Sequence, residues 1–95
     1  MSPIDLVIEE IKTTPAYNGF NPELTASFLE KLNDLGIVTN ASFDGETLKI
    51  YLKNPETEIQ IMELGEVLIV GNSLNPSDCT LVEYDNGAIL TFWWE

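Results

Sequence analysis

The sequence contains no histidine and no arginine, and it contains cysteine only at Cys79. A chain without histidine lacks the usual proton shuttle at neutral pH and the commonest zinc ligand. A lone cysteine excludes both an intrachain disulfide and a cysteine zinc cluster. Because Cys79 falls in an apolar strand pattern, we expect a buried, inert thiol rather than a reactive one.

Long apolar runs are also absent. No run approaches the roughly 20 residues that a membrane-spanning helix needs, and residues 1–5 lack the cationic region of a secretory signal. We therefore expect a cytoplasmic protein that does not bind membranes.

Positive charge is scarce: four lysines oppose 16 acidic residues, so the net charge is −12. Nucleic acids and anionic membranes are bound through clustered cations, so neither is expected as a direct partner. A basic protein is favoured instead. Spread evenly, the acids would mainly aid solubility. If they are clustered, they create a negative potential that imitates a nucleic-acid backbone and steers a basic partner.

The 95 residues, of which 44% are hydrophobic, are enough for one domain (1–95) with one modest core. Ser2-Pro3 and Asn21-Pro22 each combine an N-cap residue with a proline at the first helical position, which predicts two helix starts. Thr13-Thr14-Pro15 ends the first helix, and Gly36 suits the C-cap of the second. The two predicted apolar stripes are Ile4, Val7, Ile8 and Ile11, then Leu24, Phe28, Leu32 and Leu35.

From Ile37 onward, β-branched and aromatic residues alternate with turn signals, a pattern typical of an antiparallel meander. Asp44-Gly45 and Asn86-Gly87 predict two-residue type I′ turns. Residues 72–78 have the composition of a loop. The expected fold is α+β, an N-terminal α-hairpin packed on a roughly six-stranded antiparallel meander sheet. The predicted strands are about 37–43, 46–53, 58–64, 67–71, 79–85 and 88–94.

Pairing across the predicted turns puts apolar side chains on both faces of this sheet, whereas two helices cover only one face. The second face is then covered either by curling of the sheet into a barrel-like shape or by an interface. The apolar face predicted for partner binding or self-association consists of Tyr51, Met62, Ile69, Tyr84 and Trp93.

Catalytic signatures are missing from the sequence, which has no glycine-rich phosphate loop, nucleophile elbow or calcium-binding loop. We expect no enzyme activity, no cofactor and no metal site. Acidic residues are dense around the middle hairpins, and the acidic cluster predicted to bind a partner consists of Glu56, Glu58, Glu63 and Glu66.

Two functional hypotheses follow from this surface chemistry. The first is a small acidic protein-binding module, an inhibitor or immunity-type protein that occupies the cationic, nucleic-acid-binding site of a partner. Nuclease-immunity, anti-restriction and anti-CRISPR proteins resemble this chain in size and charge alone. The alternative is a structural or accessory module that self-associates, for example as a homodimer, and whose acidity serves solubility.

Overall fold

The computed structural model describes residues 2–17, 19–63, 65–79, 81–85 and 88–94. Within these ranges, two helices precede seven strands. The elements are α1 (Pro3–Thr13), α2 (Pro22–Asp34), β1 (Val38–Phe43), β2 (Thr47–Leu52), β3 (Ile59–Ile61), β4 (Val67–Ile69), β5 (Asn72–Leu74), β6 (Leu81–Asp85) and β7 (Ile89–Trp93). The helices pack on antiparallel sheets, which confirms the predicted α+β fold.

Both helices begin at the predicted caps. The Ser2 hydroxyl accepts the Asp5 backbone N–H at 3.2 Å, and the Asp5 carboxylate accepts the Ser2 backbone N–H at 3.1 Å. This capping box lowers the pKa of Asp5, first through the Ser2 N–H and then through its hydroxyl. At α2, the Asn21 side-chain oxygen accepts the Leu24 N–H at 3.1 Å.

The buried face of α1 is the predicted one, whereas that of α2 is rotated. Phe28 and Leu32 are buried, but Leu24 and Leu35 are 53% and 42% exposed. Thr25 is fully buried in their place. Its hydroxyl lies 2.8 Å from the Asn21 carbonyl oxygen within the helix and 3.0 Å from the Pro76 carbonyl oxygen, and these acceptors allow a polar residue to enter the core.

The strands form two sheets rather than the single predicted meander. One has four strands in the order β1-β2-β7-β6, and the other has three in the order β3-β4-β5. Strand β2 pairs with β7 instead of β3, so the chain leaves the first sheet at the turn that contains Asn54 and Pro55. Neither sheet closes into a barrel. Strand β5 lies where the composition predicted a loop.

The register between β6 and β7 differs from the predicted one. The turn residues Asn86 and Gly87 lie outside the described part of the chain, but Asp85 pairs with Ile89 and Tyr84 pairs with Leu90. Residues 86–88 therefore separate the strands, one more than a two-residue turn. Because side chains alternate with a period of two, this shift moves every β6 side chain to the opposite face relative to β7.

The core lies on one side of the four-stranded sheet. Leu90 and Phe92 of β7 are fully buried, and the Phe92 ring meets the Phe28 ring of α2 edge-on with centroids 5.2 Å apart. The Tyr84 hydroxyl, on the same side, donates to the carbonyl oxygen of Thr57 at 3.2 Å. The helices and the three-stranded sheet therefore form one layer over the same face of the larger sheet.

Tyr17 fastens the helical hairpin to the end of this sheet. Its hydroxyl donates to the carbonyl oxygen of Gly45, in the turn between β1 and β2. Burial, followed by the charges of Glu46 and Asp44, raises the pKa of Tyr17. The neutral, hydrogen-bonding phenol is therefore the favoured form.

Candidate protein-binding face

The three-stranded sheet has one buried and one exposed face. On β4, Val67 and Ile69 are fully buried, whereas Leu68 between them is 38% exposed. Leu68 pairs with Gln60 on one side and with Ser73 on the other, so these three side chains form a row on the exposed face.

Two further pairs extend this row at its ends. The Val70 N–H donates to the Glu58 carbonyl oxygen at 3.5 Å, and the Met62 N–H donates to the Glu66 carbonyl oxygen at 2.8 Å. Each pair continues the β3–β4 register. We call the resulting surface the open face, and its members are Glu58, Gln60, Met62, Glu66, Leu68, Val70 and Ser73.

Apolar side chains are concentrated here. Three of the eight large apolar side chains that are exposed in the described part of the chain belong to this face, namely Met62, Leu68 and Val70. Met62 is 44% and Val70 is 54% exposed. At the Val70 end there is a shallow depression of about 290 Å³, lined by Glu58, Ile59, Gln60, Leu68, Val70 and Gly71. An apolar group of this kind in water is typical of a recognition surface.

Carboxylates border the apolar centre at both ends, at Glu58 and Glu66. The Glu66 carboxylate accepts the Ser73 hydroxyl at 3.0 Å, which orients it on the open face. The other two members of the predicted acidic cluster, Glu56 and Glu63, are exposed in the turns just before and just after β3.

The charge of the chain is divided unequally. Residues 1–53 contain all four lysines and eight acids, whereas residues 54–95 contain eight acids and no basic residue. The open face belongs to this second part. The face itself carries no lysine; the cations nearest to it are Lys53, five residues before Glu58, and Lys31 of α2, which lines a groove together with Ser73.

The prediction that five apolar residues share one face is wrong. Ile69 is fully buried, and Tyr84 lies on the core side of β6. Tyr51 and Trp93 lie on the uncovered side of the four-stranded sheet, so that only Met62 belongs to the open face. The division into two sheets and the one-residue register shift are the reasons.

The uncovered side of the four-stranded sheet is mixed rather than apolar. Tyr51 and Trp93 are half-buried on it, and a polar row crosses it, because Lys49 pairs with Thr91 and Thr91 pairs with Glu83. This side of the sheet is less apolar than the sequence pattern predicted, because the shifted register of β6 places Glu83 on it and places Tyr84 on the core side. It therefore requires less covering by a partner or by curling of the sheet.

Other chemistry is sparse in the described residues. They contain no group of three or more potential metal ligands, and none of their helices is long and apolar enough to cross a membrane. Cys79 is half-buried, and burial raises the pKa of its thiol. The thiolate that would react as a nucleophile is therefore disfavoured.

Sequence reasoning identified Glu58, Met62 and Glu66 but missed Leu68 and Val70. For Val70 the missed signal is local, because Val70-Gly71 occupies a two-residue hairpin turn in which Ile69 pairs with Asn72. For Leu68, alternation along β4 puts its side chain on the opposite face from Val67 and Ile69, but which of these faces is buried depends on the sheet that β4 joins.

Comparison of the chain with protein-family models, with curated proteins and with solved structures finds no match. The function is therefore inferred from the architecture and from the open face.

Proposed function

We propose that this protein is a small acidic protein-binding module of the inhibitor or immunity type, which occupies a cationic, nucleic-acid-binding site of a partner protein. The observation that carries the proposal is the open face, an apolar centre bordered by Glu58 and Glu66 in a part of the chain without basic residues. Such a surface excludes an anionic ligand and attracts a cationic one.

The geometry supports attraction at short range. Glu58 and Glu66 lie at opposite ends of the paired strands β3 and β4, four residue steps apart, which corresponds to roughly 13 Å. Charges beyond about 8 Å from a partner are largely screened at physiological salt. A partner must therefore approach the open face itself, and the exposed apolar side chains between the carboxylates then become part of the contact.

The acidic cluster provides the first test. A partner is isolated by affinity capture from the source cells and its association is then measured with purified proteins. Replacing Glu56, Glu58, Glu63 and Glu66 together by glutamine should lower the association rate by on the order of tenfold, because electrostatic steering acts mainly on that rate. Raising salt from about 50 to about 500 mM should have the same effect on the unmodified protein.

A matched control changes the net charge equally at other places. Glu10→Gln, Glu23→Gln, Asp34→Asn and Glu46→Gln, all at exposed positions, should leave most of the association rate intact. If the control lowers the rate as much as the cluster variant does, general charge and not this surface is responsible. An association rate that is indifferent to salt would contradict the proposal as a whole.

Self-association is a second candidate function, favoured by the polar row Lys49–Thr91–Glu83. A two-fold axis along β7 would place Lys49 of one copy over Glu83 of the other, with the buried Thr91 between them in each copy. In the described residues, neither Lys49 nor Glu83 takes part in an ion pair. The face is thus complementary to itself in charge, with Tyr51 and Trp93 beside the row.

Sedimentation measures this second candidate directly. Lys49→Glu should dissociate the dimer, because two like charges would then face each other twice, and Lys49→Glu combined with Glu83→Lys should restore it. A monomer at micromolar concentration, or a dimer that survives Lys49→Glu, would rule out this surface.

A further inference from the structure

Val70 occupies a backbone conformation that its side chain disfavours. With Gly71 it forms the two-residue turn between β4 and β5, and the φ angles are 49° for Val70 and 77° for Gly71. A turn with positive φ at both positions is usually Asn-Gly or Gly-Gly. A β-branched residue in this region is an outlier, because its side chain crowds the backbone.

Burial does not offset this strain, since Val70 is 54% exposed. Its side chain instead borders the depression that Glu58, Gln60 and Leu68 line. Strained residues of this kind are concentrated at binding sites, where the side chain is retained for the contact it makes. We take Val70 to be part of a contact that this chain alone does not contain.

The edges of the three-stranded sheet limit how a partner can bind. Strand β3 lies against β6, where the Tyr84 hydroxyl reaches the Thr57 carbonyl oxygen. At the other edge, Ser73, Leu74 and Asn75 line a groove together with α2 residues. A partner strand would therefore have to displace β6 at one edge or enter the groove beside α2 at the other, whereas the open face is exposed without any rearrangement.

We propose that the open face holds an amphipathic basic helix of the partner. Its apolar side chains would pack on Met62, Leu68 and Val70, and its lysine or arginine residues would pair with Glu58 and Glu66. Three strands span roughly 10 Å between the outer two, which is close to the diameter of a helix. The inference rests on the proposed function and names the partner of that same face.

Charge spacing defines the helix further. The roughly 13 Å between the two carboxylate positions equals eight to nine residues of helix at 1.5 Å per residue. Basic residues about two turns apart, on either side of an apolar stripe, would match both carboxylates. An extended peptide would need basic residues about four apart to reach the same two carboxylates, so a segment whose basic residues are eight to nine apart matches both only as a helix.

A synthetic peptide of leucine and lysine, about 18 residues long and amphipathic as a five-turn helix, serves as the probe. Its dissociation constant is measured by fluorescence anisotropy in low salt. Leu68→Ser and Val70→Asn should each weaken binding on the order of tenfold. Leu81→Ser, which removes an equally exposed apolar side chain (54%) on the other sheet, should leave binding unchanged.

Val70→Asn has a second readout with the opposite sign. Asparagine tolerates positive φ, so the variant should raise the midpoint of thermal unfolding by about 4 to 8 °C while it weakens peptide binding. If Val70 had only a structural role, its replacement would not raise the thermal midpoint and weaken peptide binding at the same time. Unchanged binding by Val70→Asn and Leu68→Ser, or equal weakening by Leu81→Ser, would overturn the inference.

Two control peptides separate this inference from the proposed function. A scrambled peptide of the same composition and an oligolysine of equal charge should bind the protein at least tenfold more weakly than the helix, because neither has an apolar face. The control peptides could instead bind as tightly as the helical peptide, and the variant with all four glutamines could lose that binding. Electrostatic recognition would then be supported, and the inference that the partner segment is a helix would be wrong. If the glutamine variant binds every peptide as the unmodified protein does, the proposed function fails.

Discussion

Gly65→Ala is expected to destabilise the protein by about 2–5 kcal/mol, the sum of a backbone cost and an overpacking cost. Gly65 is buried in the turn between β3 and β4 and has φ +84°. A Cβ atom there would lie 2.6 Å from the Cys79 Sγ and 2.7 Å from the Ser77 carbonyl oxygen. Because the second of these is a backbone atom, a rotamer change cannot relieve the contact.

Gly36→Ala is the matched control for this substitution. Gly36 has a similar φ of +74°, but a Cβ atom there would have no neighbour within 4 Å. Its replacement should cost only the backbone contribution of about 1–2 kcal/mol. Urea unfolding of both variants gives the two free energies of unfolding. Equal losses would show that the 77–79 segment yields to the added methyl group.

The contact at Gly65 also bears on the candidate site. The turn that contains Gly65 connects the two strands that carry Met62 and Glu66, and it is held against residues 77 and 79. Val67 and Ile69 anchor the other side of the same sheet in the core. The open face is therefore supported from behind by buried residues, which would keep the entropic cost of the proposed binding low.

Leu32→Ala should lower the free energy of unfolding by about 2–5 kcal/mol, the usual range for a large-to-small change in a core. Leu32 is fully buried on α2, in the same core as Phe28 and Phe92. The cost combines the lost transfer free energy with the cavity that remains where the neighbours do not collapse. Urea unfolding measures this loss, provided that the slope of the free energy of unfolding against urea concentration is the same for both proteins.

Leu24→Ala makes the same chemical change on the same helix at a side chain that is 53% exposed. The N-cap bond from the Leu24 N–H is kept, since alanine retains the backbone donor. This variant should change stability by no more than about 0.5 kcal/mol. If Leu32→Ala lowered the free energy of unfolding by less than about 0.5 kcal/mol, α2 would pack on the core through another face.

The helices could be predicted because their signals are local. Ser2 and Asn21 cap the helices that begin at the prolines after them, as expected. The buried face of α2 could not be predicted fully. The Thr25 hydroxyl has a local acceptor in the Asn21 carbonyl oxygen, but whether this side of α2 is buried depends on Pro76 and Ser77, more than 50 residues away in sequence, which lie against it.

The candidate site could be predicted only in part, because the exposure of its side chains also depends on contacts between segments that are distant in sequence. The acids and Met62 were recognisable from composition near predicted turns, whereas the exposure of Leu68 depends on which sheet β4 joins. Tyr84 shows the reverse case. Its aromatic character indicated an interface, but the pairing of Asp85 with Ile89 turns it toward the core.

The helix starts, the α+β class, the net charge of −12 and the absence of histidine chemistry follow from the order of the amino acids alone. The pairing of β2 with β7, the division of the strands into two sheets and the choice of which alternate side chains face solvent arise from tertiary contacts. Charge and capping follow from residues that are close in sequence. Strand partners are chosen by contacts between distant segments, and a shift of one residue in their register exchanges the two faces of a strand.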